Sequence, residues 1–434
     1  MVKKIFKKDF LPLLPLFILY TLVVVLFSSN KLIGDESRYY HYAVNISNGF
    51  FEETENPSFG NGPAYPTIIA PFIALGTNLL YPKLINALLL LFSIVYFKKT
   101  IQIFSNSKNN IYFIYLLGLY PPVIRWLPYL YSETLAFFAT CGLLYYVVKI
   151  FQSEKFTVKS LALPSLFLAL LILVKVIFLQ VVLLSLLLTL AFAIVSRRNR
   201  AQLKKCFLIL VCGFALISPY LLYAYSITGK LFYIGTAGGE ILYHRATPYE
   251  EELGNWFSFD DVLYGNSKNY EPDGAYDNLE KLSLNHRDAF IKLEPLTNIQ
   301  RDSALKSMAI ANMKSHPIKY IKNTVANVGR LVFHYPFSYR NQNMNTYGYT
   351  IPNMFVLFFW ILCLYPFIIN RKHAPFAIKA LMLFTLIYAC GIILLDGRGR
   401  NFIVMVPTMT LFIAYHFLKV IKISIVSEKI DVYK

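Results

Sequence analysis

The chain has 434 residues, of which 56% are hydrophobic and only 15% charged, with a formal net charge of +18. A soluble domain carries about 25% charged residues, so this composition excludes an ordinary water-soluble globule. In so apolar a chain the positive excess reads as cytoplasmic loops rather than as a nucleic-acid surface.

At the N-terminus, Lys3, Lys4, Lys7 and Lys8 precede an apolar run of about 20 residues with no small-residue cleavage site, which predicts an uncleaved anchor. Ten runs carry little enough charge to span: 10–29, 84–97, 109–124, 126–148, 160–174, 176–195, 206–227, 350–369, 376–395 and 401–418. The segment 56–82 is equally uncharged, but Pro57, Gly60, Gly62, Pro63, Pro66, Pro71, Gly76 and Pro82 break it. It predicts a re-entrant or interfacial piece packed on protein. Basic residues recur at alternate loops: Lys98, Lys99 and Lys108; Lys149, Lys155 and Lys159; Arg197, Arg198, Arg200, Lys204 and Lys205; Arg371 and Lys372; Lys419, Lys422 and Lys429. The positive-inside rule then places both termini in the cytoplasm.

The loops left to face outward are 30–63, short turns near Arg125 and Lys175, the long segment 228–349, and 396–400. Within the long segment, 230–316 holds 13 acids against 9 lysines and arginines, opposite in sign to the whole chain. It lacks strand alternation and predicts short helices and loops. Residues 307–335 predict a helix lying at the interface, with apolar residues at three- and four-residue spacings interrupted by Lys314, Lys319, Lys322 and Arg330. The division expected is a transmembrane catalytic module (1–227), an outward region (228–349) and C-terminal membrane helices (350–434). The fold expected is an all-α polytopic membrane protein with about ten or more transmembrane helices.

Chemistry concentrates on the outward side. Gly34-Asp35-Glu36-Ser37-Arg38-Tyr39-Tyr40 puts two carboxylates and an arginine where the first apolar run ends. Such acids suit a helix cap and also a functional site, since ionisable groups at a membrane boundary are costly unless paired or solvated. Glu133 begins an apolar helix after an aromatic, proline-rich turn containing Arg125 and Trp126. Lys175 is alone among the otherwise uncharged residues 160–195, and must snorkel to water or reach an acid or an anionic ligand. Arg398 and Arg400 stand among glycines that would let backbone approach a ligand, or serve as headgroup anchors. Carboxylates with lysine and arginine on one membrane face suit transfer from a membrane-anchored phosphate: the cations hold the leaving phosphate, and a carboxylate takes the acceptor's proton.

The seven histidines form no pair at metal-ligand spacing, and the five cysteines (Cys141, Cys206, Cys212, Cys363 and Cys390) all lie in apolar runs, with neither metal-ligand spacing nor a disulfide framework. No cofactor is required, although Asp35, Glu36 and Glu133 could supply oxygen ligands to a divalent ion such as Mg or Mn.

In order along the chain, Gly34-Asp35-Glu36, Asn61-Gly62-Pro63-Ala64-Tyr65-Pro66, Leu84-Ile-Asn86, Leu119-Tyr-Pro121 with Ser132-Glu133-Thr134, Ser315-His316-Pro317 and Arg400-Asn-Phe resemble the GT-C superfamily of polyprenyl-phosphate-sugar-dependent glycosyltransferases. These are the bacterial relatives of protein O-mannosyltransferases and aminoarabinose transferases. The resemblance implies a GT-C fold with juxtamembrane helices in the first outward loop and an active site facing outward. It implies Asp35 as catalytic base, with Glu36 beside it and Glu133 as the second acid. It also implies Lys175, Arg398, Arg400 and Arg38 at the donor phosphate, and Tyr39, Tyr65 and Arg125 at the substrate. The chain departs from the aminoarabinose transferases at Asn61, where they place a lysine before the proline pair.

The function expected is inverting transfer of a sugar from a polyprenyl-phosphate donor to an envelope glycan, lipid or protein at the outer face of the cytoplasmic membrane, with no role for nucleic acid. Trp126 or Trp256 would stack on sugar faces. Two other classes share this organisation: a lipid-linked oligosaccharide polymerase or ligase, and an envelope transporter or flippase. The first would need a basic cluster in the large outer loop, which is net acidic; the second would show an internal repeat or paired broken helices.

Overall fold

Every regular element among the described residues of the computed structural model (10–153, 156–196, 199–264, 279–339 and 344–421) is a helix. Lys3, Lys4, Lys7, Lys8, Lys155, Arg197, Arg198, Lys422 and Lys429, used above for orientation, lie outside the described residues. The N-terminal half forms α1 (Leu14–Phe27), α2 (Glu36–Ser47), α3 (Ala64–Ala74), α4 (Leu80–Phe104), α5 (Asn110–Gly118), α6 (Glu133–Gln152), α7 (Val158–Val174), α8 (Phe178–Val195), α9 (Arg200–Leu216) and α10 (Ser218–Thr228). The polar segment supplies α11 (Gly238–Arg245), α12 (Leu279–Leu293), α13 (Asn298–Ser315) and α14 (Pro317–Phe333). The chain returns to the bundle through α15 (Met344–Ile369), α16 (Phe376–Leu394) and α17 (Val406–Lys419).

Five of these helices, α4, α6, α8, α15 and α16, are long and apolar enough to cross a membrane; α9 and α10, bent by 48° at Ser218-Pro219, make a sixth if they form one span. The chain is a multi-pass, all-helical membrane protein. Of the other runs expected to span, 10–29 and 160–174 form the shorter apolar helices α1 and α7. Run 109–124 breaks after Gly118, because Pro121 and Pro122 cannot extend a helix. Run 401–418 yields α17, only 14 residues long and enclosed by protein along most of its length. The proline-broken segment 56–82 forms the 11-residue α3, whose rise of about 16 Å falls short of a hydrocarbon core of about 30 Å.

Packing follows the apolar faces. Helix α4 lies against α1 and α6, α7 against α6 and α9, and α17 among α4, α15 and α16. Gly62 sets how closely the first loop docks, since a Cβ there would stand 2.0 Å from the Leu173 carbonyl oxygen at the end of α7.

The polar segment builds a second, smaller core from Tyr243, Phe257, Val262, Leu282, Phe290 and Leu305. Inside it His286 lies 2.9 Å from Glu252 and 2.9 Å from the Tyr243 hydroxyl. The helix expected over 307–335 is two helices, divided at His316-Pro317. Helix α14 is amphipathic in an inverted sense. Ile318, Ile321 and Val325 face outward, while Lys319, Asn323, Asn327 and Arg330 are buried. An outward apolar stripe suits a helix lying in a membrane interface. The inward polar stripe ties loops together: Lys319 donates to the carbonyls of Glu250 and Glu252, and Asn327 to those of Ile392 and Ile393.

One buried ion pair joins the first loop to the bundle. Glu36, wholly buried, sits 3.1 Å from the Lys83 ammonium at the start of α4. Its two oxygens also accept the Ile33 and Leu130 amides at 2.9 and 2.8 Å, and Lys83 donates to the Ser29 carbonyl at 2.7 Å. Removing one member of such a pair strands a charge. Lys83→Met is therefore expected to destabilise the protein by about 3–5 kcal/mol, seen as a lower thermal unfolding midpoint. The double variant Lys83→Met, Glu36→Gln should recover most of that loss, and a single variant as stable as wild type would refute the assignment.

Candidate active site

Asp35 occupies the position just before α2, yet its side chain makes no cap hydrogen bond. The Glu36 carboxylate folds back over the preceding turn, where its Oε2 accepts the Ile33 amide. Asp35 has other partners. Its Oδ1 meets the Arg38 guanidinium one turn along α2 at 2.5 Å, and its Oδ2 meets Arg400 at 2.8 Å. The Asp35 amide donates to the Tyr131 hydroxyl at 2.9 Å, fixing the turn from behind. Arg38 donates in turn to Asn61, Asn61 to the Tyr39 hydroxyl, and Tyr39 to Ser132 Oγ at 2.7 Å. Asn61, at the place where a lysine would stand in the aminoarabinose transferases, thus holds the arginine by its Nε.

Arg400 continues the chain of charges. Its Nε lies 3.9 Å from Glu133 Oε1, which accepts the Lys175 ammonium at 2.8 Å. Glu133 opens α6 and is 1% exposed, with its Oε2 buried and unbonded; Lys175 is the residue at which α7 ends before α8 begins. Four separate stretches thus meet as Arg38–Asp35–Arg400–Glu133–Lys175, three cations against two carboxylates. Burial pushes the Asp35 carboxyl up, but the guanidiniums of Arg38, Arg400 and Arg398 outweigh it and hold the group well below the usual carboxylate range.

The Asp35 end of this series opens on a cavity of about 310 Å³. Asp35, Ser37 and Arg38 form one wall, and Glu240, Trp256, Asp260 and Arg301 from the polar segment form the other. Arg398 lies 4.8 Å over the Trp256 ring and pairs with Asp396 at 3.0 Å. Trp256 could therefore meet a ligand, whereas Trp126 is fully buried and cannot stack on a sugar.

Several expected site residues stand elsewhere. Glu36 faces the interior with Lys83 and not the cavity. Tyr39 and Tyr65 are buried edge-to-face at 5.3 Å, and the Tyr65 hydroxyl donates to Asn86; they support the wall without lining the space. Arg125 lies by the rings of Trp126 and Tyr349, outside the cavity lining. The glycine expected to admit a ligand beside Arg398 serves packing instead: a Cβ on Gly397 would meet the Asn327 carbonyl at 2.3 Å. Asp35, Glu36 and Glu133 do not fit a shared divalent site, since Glu36 is turned away to Lys83 and the Arg400 guanidinium lies between Asp35 and Glu133. Among the described residues, no three His, Cys, Asp or Glu side chains gather to hold a metal.

Sequence reasoning missed Lys83, Asn61 as a ligand of Arg38, and the wall formed by Glu240, Asp260 and Arg301. Lys83 had a signal, a lone cation opening an otherwise apolar run. The wall residues had none, being ordinary charges in a charged segment.

No protein-family model matches the chain, and no curated protein does. Among solved structures, the oligosaccharyltransferase AglB of Archaeoglobus fulgidus, in complex with an inhibitory peptide and a dolichol-phosphate, is 14% identical with a TM-score of 0.50, covering 94% of this chain and 50% of its own. A second AglB structure, with Zn and sulfate, gives 14% and 0.48 over 93% and 48%. ArnT of Cupriavidus metallidurans bound to undecaprenyl phosphate gives 13% and 0.41 over 93% and 77%. The chain spans about half the length of the archaeal oligosaccharyltransferase. In fold it is similar to that archaeal oligosaccharyltransferase.

Proposed function

We propose that the protein is a membrane glycosyltransferase that moves a sugar from a polyprenyl-phosphate donor to an envelope acceptor (glycan, lipid or protein) at the outer face of the cytoplasmic membrane. The observation that carries this reading is the charge series itself. A carboxylate on the wall of a polar cavity is joined through Arg400 to a buried Glu133–Lys175 pair, with one positive charge left over. That surplus, at the end of an apolar bundle, suits a lipid-borne phosphate. The similarity in fold to AglB, itself described with a dolichol-phosphate, adds support.

In the reaction, Asp35 takes the proton of the acceptor hydroxyl as its oxygen attacks the anomeric carbon. The bond between that carbon and the phosphate oxygen breaks, and its electron pair leaves with the lipid phosphate. Attack opposite to the leaving group inverts the anomeric centre. Arg38, Arg400 and Lys175 hold the phosphate as its charge grows. Trp256 offers a ring to a sugar face, and Glu240, Asp260 and Arg301 accept from and donate to hydroxyls. Glu36 acts through position, by holding the Asp35 turn against Leu130 and Lys83. Arg398 stays with Asp396 and Trp256 and shapes the wall.

Asp35→Asn in membranes supplied with a labelled polyprenyl-phosphate sugar is expected to slow transfer by about 10²- to 10⁴-fold; full transfer at normal expression sinks the base role. Lys175→Ala should raise the donor concentration for half-maximal rate by about tenfold, the loss of one charge-assisted contact. An unchanged donor dependence would count against its phosphate contact.

A further inference from the structure

The geometry around Asp35 poses a problem that the proposed function leaves open. A general base works best with a pKa near the operating pH, yet Asp35 has a guanidinium on each of its oxygens, Arg38 on Oδ1 and Arg400 on Oδ2. A carboxylate gripped in this way is a poor proton acceptor. Of these two arginines, Arg38 lines the cavity opposite Arg301, with 41% of its side chain exposed, and Arg400 stands behind it between Asp35 and Glu133.

We propose that Asp35 is a placeholder for the donor phosphate, and that donor binding draws Arg38 and Arg400 from the Asp35 carboxylate onto the phosphate, freeing an Asp35 oxygen to act as base. This rests on the reading of the site as a lipid-phosphate glycosyltransferase and adds an order to it: donor first, acceptor second. The acceptor hydroxyl then meets a competent base only when a sugar is in place to receive it.

Charge supports the exchange. With Asp35 ionised, Arg38, Arg400 and Lys175 against Asp35 and Glu133 leave one positive charge, matching the single negative charge of a sugar phosphodiester. Once Asp35 has taken the acceptor's proton, two positive charges remain. The leaving lipid phosphate, now a monoester, carries about −1.5 to −2. The cluster therefore stays close to neutral with donor and with product, which lowers the cost of holding either phosphate in a poorly solvated site. Outside this connected series, the Arg398–Asp396 pair is internally balanced, and the opposite wall carries Glu240 and Asp260 against Arg301, one net negative charge on the side away from Arg400 and Lys175.

The test is binding, which needs no knowledge of sugar or acceptor. Purified protein in nanodiscs is titrated with undecaprenyl phosphate, the product-side probe. Asp35→Asn keeps the shape and removes the competing charge, so its affinity should rise by about tenfold, within the usual range for coupled sites. Asp35→Glu, which keeps the charge, should stay near wild type, and Arg400→Gln added to Asp35→Asn should abolish the gain. Unfolding midpoints of all variants, measured without ligand, confirm that folded protein is compared. An Asp35→Asn variant that is folded and binds undecaprenyl phosphate equally or more weakly overturns the exchange, while its loss of transfer would leave the base role standing. Conversely, tighter binding with full transfer retained would support the competition for the arginines and overturn the base reading on which the order of binding depends.

Discussion

The buried ion pair between Glu36 and Lys83 is the constraint on which the site depends. A charge inside an apolar bundle is tolerated only with a partner and with its remaining lone pairs satisfied. Glu36 meets both conditions through Lys83 and the amides of Ile33 and Leu130, so one carboxylate ties together the end of the first apolar run, the start of α2, the turn before α6 and the start of α4. Glu36 is thereby committed to the interior, while Asp35, which makes no cap hydrogen bond, pairs with Arg38 and Arg400. Two adjacent acids thus part ways, one turned inward to Lys83 and one turned toward the cavity.

The rest of the site is made from helix ends. Glu133 begins α6, Lys175 ends α7, and Arg400 lies in a four-residue helix, Gly399–Phe402, just before α17. Each would be expensive in the middle of an apolar helix and is far cheaper at a boundary, where water and partners are within reach. Side chains from four stretches converge there, at one end of the bundle, joined by the ion pairs of Asp35, Arg400, Glu133 and Lys175. The polar segment then covers that end, held down by the inward polar face of α14 while the outward face of that helix remains apolar.

Much of the candidate site's charge series was legible before the fold was known. Asp35, Glu133, Lys175, Arg398 and Arg400 stand out because each is a charge at or inside an apolar stretch, and the cost of such a placement is a local property of the sequence. The structure brings all but Arg398 into one connected series. Glu36, Tyr39, Tyr65 and Arg125 entered the expected site through the family resemblance; Glu36 and Tyr39 follow Asp35 on α2, where a helix turns successive side chains about 100° apart, while Tyr65 is buried and Arg125 lies by Trp126 and Tyr349. Helix count suffered for a related reason. Composition marks a run as apolar without saying whether lipid or protein surrounds it, and α17, enclosed by its neighbours, is apolar without being long enough for the span expected over 401–418.

By itself the sequence determined that this chain is helical, apolar and multi-pass, and that its costly charges gather at a few boundaries, because hydropathy and charge act residue by residue. Only the tertiary structure decided which of those charges pair. It set Arg400 against an aspartate 365 positions away, gave Lys83 to Glu36, and placed Trp256, Asp260 and Arg301 across from Asp35. Pairing depends on which helix ends are packed side by side, and that is settled by the summed burial of whole faces and by no local signal. In consequence Asp35, conspicuous from the start as an acid at the end of an apolar run, acquires its two arginines from the fold.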